Sequence, residues 1–461
     1  MTSKVWSENT GTTSNKISFT LSQMEAITNI DVAVCVVGTG GAFTTSSTEE
    51  EILGAFETQG ITCKRVARYD ASHGGVMNAL SYCEEVHASD TADWIIYIVG
   101  KLEANSSCAT TNGLVDIGTA AYSGKNIKFI GFTGKTTDIL DGNTSYRVVN
   151  IGTAANVTFD NITIQNGKVT GTNNYGGGIK KQSVSGNLTI QNCIIQNNTS
   201  EKASGGGLYI NISGGTNTIT NTTFYKNSAA NSGGGLYIDN SNIVLTGCTI
   251  EDNSAGNSGS NKNGGGMLVT AQLSNNVIVE DCTFKNNKAP NGQGGAVKVN
   301  TGKFFTIKGG TFTGNTASKG GAISNTGTLY ISDGTATQLS IPEGSEGSND
   351  VHLDANGTSS LHPLTINGTL NGGSDTVPIL TITPELWIRG TQALNTGNSS
   401  VTIDSNLVKK FKIIDEDFKL SCPTNSSGII NSDILCVSSK NSDNTASSDE
   451  TGRGTRTKPF A

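Results

Sequence analysis

The side chains best placed for acid, base or cation chemistry are two acidic pairs, Glu251 with Asp252 and Glu280 with Asp281, 29 residues apart. If one structural repeat separates them, four carboxylates on adjacent repeats could bind a cation or supply the paired acids of glycoside hydrolysis. Eliminative cleavage of a uronate chain also needs a basic group, yet between Arg147 and His352 the sequence contains neither Arg nor His. The plainer reading, solvated turn charges, therefore stands beside the cation site. Asp70, Ser72 and His73 are triad residue types, but neighbours on one short stretch cannot converge as nucleophile, base and orienter. Val37-Gly38-Thr39-Gly40-Gly41 follows an apolar run without the full glycine spacing of a dinucleotide loop, so a tight turn is expected. No cofactor and no metal are expected.

Six glycine-led units must position whatever function the chain has. They open at Gly176, Gly205, Gly233, Gly264, Gly294 and Gly320, with spacings of 29, 28, 31, 30 and 26 residues. A fixed period of this size marks a stacked repeat. After each opening comes an apolar-x-apolar step, as in Leu208/Ile210 and Leu236/Ile238, whose middle residue points outward. A second such step (Val157/Phe159, Leu188/Ile190, Phe305/Ile307) and a third strand (Ile164, Ile195, Phe224, Ile250, Phe284, Phe312) complete the unit. The spacing predicts an all-β fold, a right-handed single-stranded parallel β-helix with three strands per coil. Equivalent residues then lie about 4.8 Å apart in ladders. Asn198, Asn227, Asn253, Asn287 and Asn315 form one, where stacked amides satisfy each other at a buried corner. Cys193, Cys248 and Cys282 form another and read as small inward fillers, because no His accompanies them. Tyr209, Tyr237 and Leu268 fall at the outward position of adjacent coils, where rings could bind a sugar or a partner side chain or, equally, pack under a loop.

The less regular flanks divide the 461-residue chain into an α/β N-terminal cap (1–92), the helix (93–383, regular over about 157–332), a C-terminal cap (384–437) and a disordered tail or expression remnant (438–461). In the first segment, strands are expected at Asp31–Val37 and Ile61–Ala67, and helices from Ser47 to Thr58 and from Val76 to Val86. A net charge of −7 gives no basic footprint for nucleic acid, and no apolar stretch reaches the about 20 residues that span a bilayer. The opening, Met1 to Ser14, lacks the apolar core of a secretory signal, so removal of a leader is expected for so polar a product. Cys422 and Cys436 are candidates to close a terminal loop as a disulfide.

With both motifs in hand, the chain resembles bacterial polymorphic outer membrane proteins, whose passenger repeats pair a Gly-Gly-Ala-Ile motif with a Phe-x-x-Asn motif. Gly320-Gly321-Ala322-Ile323 matches the first; Phe224 to Asn227, Phe284 to Asn287 and Phe312 to Asn315 match the second. The resemblance implies a pectin-lyase-like β-helix at the cell surface, associated with the outer membrane or secreted, that binds a host-cell or extracellular protein or glycan. Several copies carry Gly-Gly-Gly instead, and no C-terminal stretch resembles a membrane β-barrel. The expected function is non-catalytic adhesion or host contact. A carbohydrate-active enzyme is the alternative, and a structural spacer the third reading.

Overall fold

The computed structural model describes residues 32–421 apart from 64, 88–91, 111, 184, 257–261, 271–276, 343, 359, 389–391, 398–399 and 415–417, together with 5–10, 13–18, 436–439 and 453–454. Each of the six regular coils turns at its glycines. Gly205 has φ +71°, and a Cβ at Gly206 would lie 2.4 Å from the carbonyl oxygens of both Gly234 and Ser228, so only glycine lets the backbones of neighbouring coils meet there. The third place tolerates a methyl, supplied by buried Ala296 and Ala322.

From these corners the chain builds a right-handed parallel β-solenoid. Sheet I, an 11-stranded stack running from Val115–Ile117 to Phe411–Ile413, contains the strands that follow the glycines. Sheet II has 13 strands and sheet III has nine. Where the sequence predicts three strands per coil, the structure adds a fourth, six-stranded sheet IV, whose members include Thr199–Ser200, Ser228–Ala229 and Ser254–Ala255. Two-residue strands with a small inward Ser or Ala carry no alternating apolar signal, which is why the pattern conceals them. Inside the tube, like stacks on like. Phe284 and Phe312 lie face to face at 4.6 Å, and Phe129 and Phe159 at 5.4 Å.

Sheet II extends beyond the tube into the N-terminal segment, in the order Arg65–Asp70, Val32–Val37, Trp94–Val99, Asn126–Gly131. Helix α1 (Glu49–Thr58) packs Ile52 and Phe56 with Phe43, Tyr97 and Phe132 on one face. Helix α2 (His73–His87) sets Val76, Ala79, Leu80 and Cys83 against Trp94 and Ile96 on the other. The open end of the core is thus covered by a helix and its sheet edge is extended, as a solenoid end requires. The cap of α1 is Thr48 rather than Ser47. Its side chain accepts from the Glu51 amide while Glu51 bonds back to the Thr48 amide, a capping box.

At the other end the coils run past residue 383. Leu380 and Ile382 pair with Phe411 and Ile413, and Leu364 with Leu394, so apolar residues assigned to a C-terminal cap stack as another coil. The Cys422–Cys436 pairing and most of the 438–461 tail lie outside the described residues.

Candidate functional site

The outward position of sheet I forms a continuous row in register: Asp116, Asn150, Lys180, Tyr209, Tyr237, Leu268, Lys298, Ser324, His352 and Thr383. Alternation along each strand places these side chains opposite the core. Tyr209, Tyr237 and Leu268 lie in this row as adjacent members, but not as an open platform. Tyr175, Tyr209 and Tyr237 stack on one another at 4.5 and 5.4 Å, and Tyr209 and Leu268 are only 5% and 4% exposed. Ladder stacking occupies the ring faces that a sugar would need, so the tyrosines are cross-coil packing residues.

Farther along the row lies a charged cluster that sequence reasoning missed. Lys298, 3% exposed, donates to Gln293 Oε1 at 2.6 Å, Ser324 Oγ at 2.9 Å and Asp354 Oδ2 at 3.0 Å. His352, 1% exposed, directs Nε2 at Glu385 Oε2 (2.8 Å) and Asp354 Oδ1 (3.5 Å), while Lys319 reaches the same Glu385 oxygen at 2.5 Å. The hydrogen bond from His352 and the Lys319 pair hold the Glu385 carboxyl down at about 2 despite partial burial. Burial pushes the Asp354 carboxyl up, but His352 and Lys298 together outweigh it and hold the acid well below the usual range. His352 is pulled down by burial and raised further by its two carboxylate partners, for a net upward shift. Ligand atoms of His352, Asp354 and Glu385 lie within 4.8 Å of one another, a set able to ligate a cation. Two ammonium groups already neutralise these carboxylates, so a metal would have to displace Lys298 and Lys319.

The acids singled out from the sequence are not brought together. Glu251 lies on sheet III, where its neighbour one coil on is Lys285, bonded at 2.8 Å; Glu280 ends a sheet II strand beside Lys308. Asp252 and Asp281 occupy two different corners with φ of +54° and +53°, conformations that Asp and Asn tolerate. Asp281 caps a later loop, accepting from the amides of Ala336 and Thr337 at 2.9 and 2.8 Å. The four side chains therefore form no common cation site; the 29-residue spacing misleads because this coil is longer and Lys285, not Glu280, stacks on Glu251.

The remaining motifs also resolve into packing. Gly38 donates to the Val99 carbonyl at 2.7 Å, and a Cβ there would lie 2.0 Å from the Lys101 oxygen, so the glycine loop seals the end of the N-terminal sheet. Ser72 Oγ donates to Asp70, while His73 Nδ1 lies 2.9 Å from the Leu114 carbonyl; the three do not form a relay. The asparagines stack with their amides linked at 3.0 Å from Asn198 through Asn315, and Asn349 continues the ladder at 3.2 Å. Cys193, Cys248 and Cys282 are buried, and burial pushes the Cys193 thiol up to about 12, so it stays protonated. Among the described residues, no helix is long and apolar enough to cross a membrane.

Residues 147–336 match the family model described as a right-handed beta helix region. No curated protein and no solved structure matches the chain significantly.

Proposed function

We propose that this protein is a non-catalytic β-solenoid, displayed at the cell surface, on the outer membrane or secreted, that serves adhesion or contact with an extracellular protein or glycan. The observation that carries the reading is the state of the charged cluster on the outer face of sheet I. Its carboxylates are each matched by a lysine and its histidine is buried, an arrangement that locks coils together. The resemblance to polymorphic outer membrane passengers supports the same reading through Gly320 to Ile323 and the three Phe-x-x-Asn motifs.

An enzyme acting on polysaccharide is the second reading, favoured by the closeness of Asp354 and Glu385, whose oxygens lie within 4.8 Å. Retaining glycosidases hold two carboxyls about 5 Å apart, but one must be protonated to act as the acid. Here both are held ionised, which weighs against that chemistry. The test applies the full chain to cultured cells, to a glycan array and to a polysaccharide panel. Saturable binding without turnover is expected. Polysaccharide cleavage abolished by Glu385→Gln, without saturable binding, overturns the proposal in favour of the enzyme.

A further inference from the structure

The turns from sheet I into sheet II enclose a second surface, far along the axis from the charged cluster. A shallow, open hollow of about 670 Å³ is lined there by Ser123, Thr153, Gln182, Ser183, Asn211 and Asn240, among others. Successive coils each contribute in turn. Ser123 and Thr153 follow the sheet I strands Val115–Ile117 and Val149–Ile151, Gln182 and Asn211 lie on the next two strands, and Asn240 follows Leu236–Asp239. Four coil steps of about 4.8 Å make a trough of roughly 19 Å along the axis.

The lining sets amide and hydroxyl side chains beside the small apolar surfaces of Ala120 and Ala154, and it carries no charged, aromatic or large aliphatic side chain. Among the described residues, the exposed Gln182 amide and the Ser123 and Ser183 hydroxyls have no protein hydrogen-bond partner. Asn211 is fixed in place, donating to Asp239 Oδ2 at 3.0 Å. Beneath the trough, the fully buried Lys181 anchors the turn from inside, its Nζ bonded to the carbonyls of Thr153 at 3.3 Å and Ala155 at 2.8 Å. It ties the turn of one coil to the strand of the next.

We infer that this trough binds an uncharged oligosaccharide. A sugar chain offers hydroxyls that both donate and accept, which amide and hydroxyl linings match. Sulfated or uronic chains call for cations, and the lining has none. A protein partner calls for a pocket that seats an aromatic or aliphatic anchor, and the lining offers none. The inference deepens the proposed function and rests on its glycan branch.

The test titrates the full chain with neutral oligosaccharides of four to six hexose or N-acetylhexosamine units, and with sulfated and sialylated counterparts, by ligand-observed NMR and calorimetry. Neutral chains are expected to bind, about tenfold more weakly in Gln182→Ala and with no detectable affinity in Gln182→Trp, which fills the trough. Both changes are at an exposed position, and circular dichroism confirms the fold. Preference for the charged chains, or neutral binding unchanged in both variants, overturns the inference. If no glycan binds while the chain still binds a protein ligand on cells, the trough fails and the contact function stands. If nothing binds and a polysaccharide is cleaved, both fail.

Discussion

Removing one amide from the middle of the asparagine ladder measures how far the solenoid depends on it. Asn253 Oδ1 accepts from the Asn227 amide nitrogen at 2.9 Å and from Asn227 Nδ2 at 3.0 Å. Its own Nδ2 donates to the Phe224 carbonyl at 2.9 Å and to Asn287 Oδ1 at 3.0 Å. Asn253→Ala leaves the two Asn227 donors and the Phe224 oxygen without these partners at a fully buried corner, and takes one donor from Asn287. Each buried polar group left unmet costs about 1–3 kcal/mol, so three of them put the loss at roughly 3–9 kcal/mol. Asn253→Asp separates hydrogen bonding from cavity formation. It keeps the acceptor and nearly the volume, but points a carboxylate at two oxygens, and should cost at least as much at pH 7. Urea denaturation followed by circular dichroism reads the loss, and hydrogen exchange locates it in the coils on either side. A change below about 1 kcal/mol, no larger than for the exposed Asn173→Ala, refutes the reasoning.

Three further outcomes follow from the buried charges. Asp354→Ala leaves Lys298 buried beside only neutral partners and should cost about 3–5 kcal/mol, whereas Lys298→Met with Asp354→Leu should recover most of it; chemical denaturation of the two variants makes the comparison. Because the folded-state pKa of His352 lies above its ordinary 6.5, its stabilisation is complete below that pH and is lost as pH rises through the folded value; His352→Gln should flatten this slope in melting temperature against pH. Burial pulls Lys181 from 10.5 down to about 8, so the folded state binds its proton less tightly and gains stability as pH rises between those values. Lys181→Met should abolish that gain and stabilise the protein at pH 7 by about 1–2 kcal/mol, again read by urea denaturation.

The coil was legible because its determinants are local and repeated. Glycine at the corner, apolar residues at alternate positions and, in five successive units, Asn three residues after an Ile or Phe recur along the chain, and each is a backbone or packing demand that few residue types meet. The charged cluster was hidden for the opposite reason. Lys298, His352, Asp354 and Glu385 come from three coils, and the coil that contributes His352 does not open on the glycine motif. One signal was within reach. Extending the outward row from Lys298 and Ser324 to the middle of Val351-His352-Leu353 would have stacked His352 beside them. The tyrosine row was located correctly, but binding and packing stayed open for it, because sequence gives the direction of a side chain and not what its neighbours occupy. The continuity of sheet II into the N-terminal segment depends on pairing between distant strands, which no local pattern encodes.

Regular repetition has a further consequence for where function can lie. When equivalent residues stack at about 4.8 Å, their interaction capacity is taken up by their own copies. The asparagine amides bond to asparagine amides, and the tyrosine faces meet tyrosine faces. A regular ladder therefore stabilises and presents little. Unmet groups arise where consecutive coils differ. Where the first coils pass from sheet I to sheet II, Ser123, Gln182 and Ser183 line a hollow with side chains that make no protein hydrogen bond among the described residues, beside Thr153 and Asn211, which are bonded to Ile117 and Asp239. At the later coils the same irregularity produces the opposite result, because the mismatched residues carry complementary charge and join into a partly buried clamp. The trough is accordingly the place where a ligand can gain hydrogen bonds that the protein has not already made, and changes along the regular ladders should alter stability while leaving recognition intact.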